Sequence, residues 1–137
     1  MTKVFIDTDV IIDFLTDRKP FSESASVLFN RLDKKEISGY TSSQSISNLY
    51  YILRKYGSHK RVVQALKELN AFVGILPVNQ KIIRSAMQSG FNDLEDAIQY
   101  YCAESGHVDA IITRNVRDYK EARIPVMSPE TLEYRDT

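Results

Sequence analysis

The spacing of apolar residues along the chain predicts short strands that alternate with longer amphipathic helices. The run Val4–Ile6 is apolar at every position, as in a strand that is covered on both faces. Similar short runs predict further strands at Tyr40–Thr41, Phe72–Leu76, Ala110–Thr113 and Pro125–Met127. This alternation is typical of an α/β domain with a mostly parallel central sheet of about four or five strands and helices on both sides.

Apolar residues at helical spacing predict the helices between these strands. The first helix is expected to be capped by Thr8 or Asp9 and to end before Pro20. Met87 and Leu94 are assigned to the buried faces of two later helices. The remaining helices are predicted over Ser22–Lys34, from Ser43 or Ser45 to Gly57, from Ser58, from Asn79, over Asp93–Glu104 and from Ser128–Glu130.

Two polar segments directly follow predicted strands. Asp7 follows Val4–Ile6, and Arg114 and Asn115 follow Ala110–Thr113. In a parallel sheet the carboxyl ends of the strands meet at one edge, and ligands bind beyond that edge. We therefore expect Asp7 and Asn115 to lie at the same edge, which is called the carboxyl edge below.

Three acidic residues stand near the N-terminus. Asp7 lies at the predicted strand-to-helix turn, whereas Asp9 and Asp13 are four residues apart and share a helix face. Acids at the start of a helix also satisfy free amides and the helix dipole, so capping is the alternative for Asp9 and Asp13. Asp7 is the stronger candidate for chemistry, because an acid directly after an apolar strand needs a partner.

The segment Asn92–Asp96 places three carboxylates in the first turn of a helix. One or two acids stabilise the helix dipole by about 0.3–1 kcal/mol each, whereas a third mainly adds repulsion. Asp93 and Asp96 are three residues apart and share a face, while Glu95 points elsewhere. Apolar residues directly follow Asp96, so we expect its carboxylate at the edge of the core, where it is the best candidate of the three.

Two further segments are candidates for contacts to phosphate. Thr113–Asp118 combines a hydroxyl, an amide and a carboxylate with the guanidinium groups of Arg114 and Arg117, although a capped turn is the alternative. The segment Arg54–Arg61 contains one histidine, no acid and four cations, namely Arg54, Lys55, Lys60 and Arg61. Cations with an aromatic residue suit the backbone of single-stranded nucleic acid, and a solvated helical corner is the alternative.

Composition narrows these possibilities. The 137 residues include 18 basic and 18 acidic side chains, so the formal net charge is zero and a histone-like basic binder is excluded. This length suits one domain over residues 1–137. Cys102 is the only cysteine, so no intrachain disulfide forms and a reduced, cytoplasmic protein is expected. We recognise neither a targeting segment nor an apolar run of about 18 residues, the length of a membrane span.

Converging carboxylates favour a bound cation. Like charges within a few ångström raise each other's pKa unless a cation neutralises them. A zinc site is excluded because His59, His107 and Cys102 are the only softer ligands in the chain. Mg²⁺ or Mn²⁺ prefers oxygen ligands and activates water for phosphodiester hydrolysis, so either ion fits the acidic clusters.

In their order along the chain, the motifs resemble those of the PIN domain, and within it the VapC-like toxin ribonucleases. The resemblance extends over about Lys3–Leu132. VFIDTDVIIDFL is similar to the first strand and helix of the family, with Asp9 where the family has Asn. LEDAIQYYCA is similar to the third motif and places its acid at Asp96, and IITRNVRDY is similar to the fourth, with Asn115 and Asp118.

The resemblance implies a PIN-like fold and a Mg²⁺- or Mn²⁺-dependent endoribonuclease that acts as the toxin of a toxin–antitoxin pair. The partners it implies are an RNA substrate, an antitoxin protein and a second copy of the chain in a homodimer. Thr8 and Thr113 would position the carboxylates. The site residues it implies are Asp7 and Asp96 for the metal, with help from Asp93 or Glu95, and Asn48, Asn115 and Asp118 beside them.

One departure from the family leaves alternatives open. The family usually has Glu at the position of Asn48, so this site lacks one charge and one residue that could orient water. A catalytically weak or inactive PIN-like module that binds RNA or protein is therefore one alternative. A haloacid-dehalogenase-like phosphatase is another, with Asp7 as the nucleophile and Asp9 as the acid/base, although no paired acid follows Ala110–Thr113 as that class requires.

Overall fold

A computed structural model describes residues 2–135 of the chain. Its strands form one parallel sheet in the order β3-β2-β1-β4-β5. The five strands are β1 (Thr2–Ile6), β2 (Ile37–Ser42), β3 (Val73–Leu76), β4 (Ala110–Ile112) and β5 (Val126–Met127). The predicted α/β class with a parallel sheet is confirmed, and the last strand lies at an edge of the sheet.

Helices connect the strands and cover both faces of the sheet. Within residues 2–135 the seven α-helices are α1 (Thr8–Leu15), α2 (Ser22–Asp33), α3 (Ser43–Leu53), α4 (His59–Phe72), α5 (Gln80–Met87), α6 (Leu94–Ser105) and α7 (Pro129–Arg135). A short 3-10 helix spans Val116–Tyr119. None of these helices within residues 2–135 is long and apolar enough to cross a membrane.

The central strand β1 explains why its sequence is apolar at consecutive positions. Val4, Phe5 and Ile6 have no exposed area, and β1 pairs with β2 on one side and β4 on the other. Side chains alternate between the two faces of a strand. Val4 and Ile6 therefore pack in one apolar core with α1 and α2, whereas Phe5 packs in a second core with α5 and α6.

The structure corrects several local predictions. Met87 is 63% exposed and Leu94 is 51% exposed, because they are the last residue of α5 and the first residue of α6 and lie beyond the apolar faces of both helices. The cap of α1 is Asp7 rather than Thr8 or Asp9. Helix α3 begins at Ser43, as predicted, but ends at Leu53 rather than at Gly57. Its cap is Ser42, whose hydroxyl accepts a hydrogen bond from the backbone of Ser45.

Candidate active site

Asp7 lies at the carboxyl edge between β1 and α1, and several donors hold its carboxylate. Its Oδ1 accepts a hydrogen bond from the backbone N–H of Thr8 at 2.8 Å and a longer one from the Gln99 amide at 3.5 Å. Its Oδ2 accepts from the hydroxyls of Thr113 at 2.9 Å and Tyr119 at 3.0 Å. Donors on both oxygens fix one orientation of the carboxylate.

The tyrosine that binds Asp7 is well suited to remain a donor. Tyr119 is buried, and its ring packs edge-on against Phe91. Burial, followed by the nearby charge of Asp7, raises the pKa of Tyr119 far above its usual value. This environment favours the protonated hydroxyl, which donates to Asp7.

The two predicted threonines lie at the site, with different contacts. The buried Thr113 hydroxyl donates to Asp7 and lies 3.4 Å from Oδ2 of Asp9, as expected of a residue that positions carboxylates. Thr8 contacts Asp7 through its backbone N–H, whereas its hydroxyl donates to Ser45 at 2.9 Å. Thr8 therefore positions the carboxylate through the chain rather than through its side chain.

Asp9 and Asp13 lie on one face of α1, as their spacing predicts, and both bind the loop that follows β4. Asp9 Oδ2 accepts from the backbone N–H of Arg114 at 3.2 Å and from the side-chain amide of Asn115 at 3.1 Å. Asp13 is buried and forms an ion pair with Arg114, with 2.6 Å between Oδ2 and Nε. The two acids thus hold this loop against α1 instead of capping the helix.

The ion pair also changes the interpretation of Arg114. Its guanidinium stacks 4.0 Å from the centroid of the Phe21 ring, and a second nitrogen donates to Asp13 at 3.3 Å. The positive charge of Arg114 neutralises a buried carboxylate inside the chain. Two of its five N–H donors are engaged with Asp13, and the contact of Arg114 to nucleic acid stays a prediction.

Asp9 has an unfavourable environment for a charged group. Its Oδ1 is buried and has no hydrogen-bond partner among residues 2–135. Burial, followed by the charge of Asp7, raises the pKa of Asp9 to about 6. The neutral Asn that the family has at this position would avoid this repulsion.

Asp96 lies in the first turn of α6 and contrasts with Asp7. Its carboxylate is partly buried, yet no residue within 2–135 donates a hydrogen bond to it. Burial raises its pKa to about 7, together with the charges of Asp93, Asp7, Asp118 and Glu95, in that order. These five residues are called the acidic cluster below, and they lie close enough for their charges to interact.

The two other acids at the start of α6 have separate contacts. Asp93 caps the helix, with its Oδ1 3.0 Å from the backbone N–H of Asp96. Glu95 contacts α3, where its Oε1 accepts from the side-chain amide of Asn48 at 2.6 Å. The position where the family usually has Glu therefore holds an amide that contacts a carboxylate from α6.

The cluster opens onto solvent beside two cations. Asp93, Asp96 and Asp118 line an open cavity of about 240 Å³, and Arg117 and Lys120 also line it. Carboxylates that repel one another next to exposed cations suit a phosphate group that is bridged to a metal ion. Arg117 lies beside the acidic cluster, and its contact to phosphate stays a prediction.

A basic corner joins the end of α3 to the start of α4. Its four cations, Arg54, Lys55, Lys60 and Arg61, are exposed. Tyr51 is 70% exposed and Tyr56 is 72% exposed. Asn48 and Tyr51 are three residues apart on α3, so one face of this helix connects the acidic cluster to the basic corner.

The donor atoms fit a hard divalent cation, although they do not form a complete protein cage. No three His, Cys, Asp or Glu side chains within residues 2–135 are arranged to hold a metal by themselves. Mg²⁺ commonly keeps several waters and binds only one or two carboxylates. Asp96 accepts no hydrogen bond from residues 2–135 and is repelled by neighbouring acids. Its ionised carboxylate is therefore the one that such an ion would stabilise most.

The chain belongs to the PIN domain family, whose model matches residues 3–117. It is 27% identical over 133 residues to ribonuclease VapC1 of Aquifex aeolicus, with 93% of this chain and 91% of that protein covered. A toxin–antitoxin complex from Klebsiella pneumoniae has a TM-score of 0.68 at 24% identity and covers 92% of this chain and 97% of its own. The Mycobacterium tuberculosis toxin VapC20, which cleaves the sarcin–ricin loop, has a TM-score of 0.62 at 15% identity, covering 79% and 86%.

Two residues of the site were missed by the sequence analysis. Gln99 and Tyr119 both donate to Asp7, and both are buried. Gln99 is a polar residue within the apolar face of α6, and this anomaly is a signal that the sequence contains. Tyr119 gives no comparable signal, because a buried tyrosine is ordinary and its partner is 112 residues away.

Proposed function

We propose that this chain is a metal-dependent endoribonuclease, the toxin of a toxin–antitoxin pair, and that it hydrolyses phosphodiester bonds of RNA in the cytoplasm. The observation that carries the proposal is the charge interaction between Asp7 and Asp96 at the carboxyl edge. Membership of the PIN domain family and the likeness to a VapC ribonuclease support it. Family membership also favours a nuclease over the phosphatase alternative.

Asp7 and Asp96 would hold Mg²⁺ or Mn²⁺, and the ion would supply an activated water and a positive charge beside the scissile phosphate. Donors on both oxygens keep Asp7 in one orientation, whereas Asp96 is free of donors within residues 2–135 and can turn toward an ion. Glu95 and Asp93 add negative charge, and Asp118, whose charge also acts on Asp96, would accept a hydrogen bond from a metal-bound water.

The amides of the site would help to orient water and phosphate. Asn48 binds Glu95, and Asn115 binds Asp9, each through its side-chain nitrogen. The oxygen atom of each amide is left to accept a hydrogen bond from a metal-bound water. This arrangement offers a route by which a neutral Asn48 supports catalysis together with Glu95.

The RNA would approach from the basic corner. Arg54, Lys55, Lys60 and Arg61 supply charge for the phosphate backbone, and Arg117 lies beside the acidic cluster. Tyr51 and Tyr56 project into solvent, where they can stack on unpaired bases. Cations with exposed aromatic rings favour single-stranded segments or loops over uniform duplex.

A cleavage assay tests the proposal. Single-stranded and hairpin RNAs are incubated with the purified chain and Mg²⁺, Mn²⁺ or EDTA. We expect cleavage with either metal, none with EDTA, and at least a hundredfold loss for Asp7→Asn and Asp96→Asn. Asp33→Asn removes an exposed acid at the end of α2 and should cleave like the wild type. Equal activity in the wild type and both site variants would contradict the proposal.

The second candidate function is an inactive PIN-like module that binds RNA or protein, and Asn48 is the observation that favours it. The two candidates differ in metal binding. A rise in melting temperature with millimolar Mn²⁺, lost in Asp96→Asn, supports the nuclease. Tight RNA binding without cleavage and without a thermal shift would support the module.

The partners are proposed on the same basis. An antitoxin protein is expected because a similar structure is a toxin–antitoxin complex, and a homodimer is expected from the resemblance to VapC-like toxins. Light scattering coupled to size exclusion tests the dimer. A monomer at micromolar concentration would remove the homodimer from the proposal and leave the nuclease in place.

A further inference from the structure

We propose that Gln99 is a positioning residue that sets the orientation of Asp7 relative to Asp96. This inference rests on the proposed nuclease function and adds a residue to it. Gln99 lies on α6 three residues after Asp96 and is 3% exposed. A glutamine that is almost fully buried must satisfy both ends of its amide within the protein.

Both ends of the amide are used. Its Oε1 accepts a hydrogen bond from the hydroxyl of Ser42 at 2.5 Å. Its Nε2 donates to the hydroxyl of Ser45 at 2.6 Å and lies 3.5 Å from Oδ1 of Asp7. A flipped amide would place Oε1 against Oδ1 of Asp7, acceptor against acceptor, whereas the serine hydroxyls can donate or accept, so the Asp7 carboxylate determines that Nε2 faces it.

The contacts of Gln99 join three parts of the fold. Ser42 ends β2 and caps α3, where Ser45 lies in the first turn. Ser45 also accepts from Thr8, the residue next to Asp7. Gln99 therefore ties the β1–α1 turn and the β2–α3 turn to the helix that carries Asp96.

This connection has a consequence for a bound cation. Asp7 and Asp96 come from different elements, and the distance between their carboxylates depends on how α6 packs against the carboxyl edge. The Gln99 Nε2 atom lies 3.5 Å from Oδ1 of Asp7, and Gln99 is within one helical turn of Asp96. Groups that orient metal-binding carboxylates commonly change metal affinity by about 10- to 100-fold when removed.

The experiment compares Gln99→Met with the wild type. Methionine has a similar length and shape but donates no hydrogen bond, so the packing is retained and the contact to Asp7 is lost. Val62→Ala, a buried change on α4 away from the site, is the control for lost stability alone. Three quantities are measured: the orientation of Asp7 in crystal structures, Mn²⁺ affinity by calorimetry, and kcat and KM for RNA cleavage.

We expect the Asp7 carboxylate to turn in Gln99→Met, Mn²⁺ affinity to fall at least tenfold, and kcat to fall with little change in KM. Val62→Ala should keep Mn²⁺ affinity and kcat at folded protein concentrations. An unchanged Asp7 with Mn²⁺ affinity within twofold of the wild type would overturn the inference. An equal loss of affinity in Val62→Ala would also overturn it, because the effect would then follow stability.

The crystal structures separate this inference from the proposed function. If the wild type neither binds Mn²⁺ nor cleaves RNA, the nuclease proposal fails, whereas a turned Asp7 in the Gln99→Met crystal still supports the positioning role and an unchanged Asp7 refutes it. If Gln99→Met does not fold, Gln99→Leu takes its place. Leucine retains an apolar side chain of similar volume, has no amide donor and adds no charge beside Asp7, so the same three quantities are measured.

Discussion

The two carboxylates at the centre of the site have opposite surroundings. Donors from Thr8, Thr113 and Tyr119 hold Asp7, with Gln99 at a longer distance. Asp96 accepts no hydrogen bond from residues 2–135 and is repelled by four neighbouring acids, which raise its pKa together with burial. On the side of Asp7, called the strand side below, groups of the protein supply the contacts of the carboxylate. On the side of Asp96, called the helix side, the carboxylate has no such donors, and a bound cation would supply its partner.

This difference shows that residue type alone does not define a role. Both residues are aspartates at a strand or helix terminus, yet one contributes to stability and the other reduces it. Active sites commonly concentrate groups that are unfavourable for the folded state, because the same groups bind a ligand strongly. The contrast predicts that the same Asp→Asn substitution changes the free energy of unfolding in opposite directions at Asp7 and at Asp96.

The largest expected effect is the loss of RNA cleavage in Asp7→Asn and Asp96→Asn. Measurements of unfolding then distinguish the two variants. Both should lose at least a hundredfold in kcat/KM. In metal-free buffer, Asp7→Asn should lower the free energy of unfolding by about 2 kcal/mol, because the new amide faces groups that donate. Asp96→Asn should raise it by about 1 kcal/mol, because one repelled charge is removed. Urea denaturation measures both, and a change of the same sign in both variants would contradict the comparison.

The next effect concerns the ion pair behind the strand side. Arg114→Met leaves Asp13 as a buried charge without a counterion, so the free energy of unfolding should fall by about 3 kcal/mol. The double variant Asp13→Leu/Arg114→Met removes both charges and should recover most of this loss. Denaturant titrations measure the free energy of unfolding of the single and double variants. Equal stability of the two would show that Asp13 does not need Arg114 as a counterion.

A smaller effect tests how the helix side compensates for Asn48. Glu95→Gln removes the carboxylate that contacts Asn48, and we expect kcat for RNA cleavage to fall about tenfold. The exchanged pair Asn48→Glu/Glu95→Gln returns a carboxylate to the opposite end of the same contact. Recovery of most of the activity in the exchanged pair supports a shared role, and full activity in Glu95→Gln alone would exclude it.

The smallest effect is a pH dependence of stability that a cation should reduce. Burial and neighbouring charges raise the pKa of Asp96 to about 7 and that of Asp9 to about 6. The folded chain therefore binds more protons than the unfolded chain between about pH 4 and pH 7, and stability falls as the pH rises across this window.

The size of this loss is on the order of 1 kcal/mol, because Asp96 is partly exposed and solvent screens its charge. Thermal unfolding from pH 5 to pH 8, with and without Mg²⁺, measures it. With Mg²⁺ the profile should flatten, since the ion favours the ionised carboxylates. A melting temperature that rises from pH 5 to pH 8 without metal would contradict the assigned directions.

Sequence patterns predicted the strands and helices well because apolar periodicity determines which faces are buried. They failed at Met87 and Leu94, where helix ends extend past the core and periodicity no longer reports burial. The acids at positions 7 and 96 were recognisable from their places after a strand and at the start of a helix. Tyr119 was not, because its contact to Asp7 depends on how distant elements pack, and Gln99 was marked only by being a polar residue on the apolar face of its helix.

The order of the strands has a consequence for how the protein is made. The strand that precedes Asp7 lies between β2 and β4, and two residues that follow β4, Thr113 and Tyr119, donate to the Asp7 carboxylate. A growing polypeptide on the ribosome therefore lacks the donors of Thr113 and Tyr119 until 106 and 112 residues have been added after Asp7. Asp7 cannot be held in this orientation before then, so a shorter nascent chain carries no assembled site.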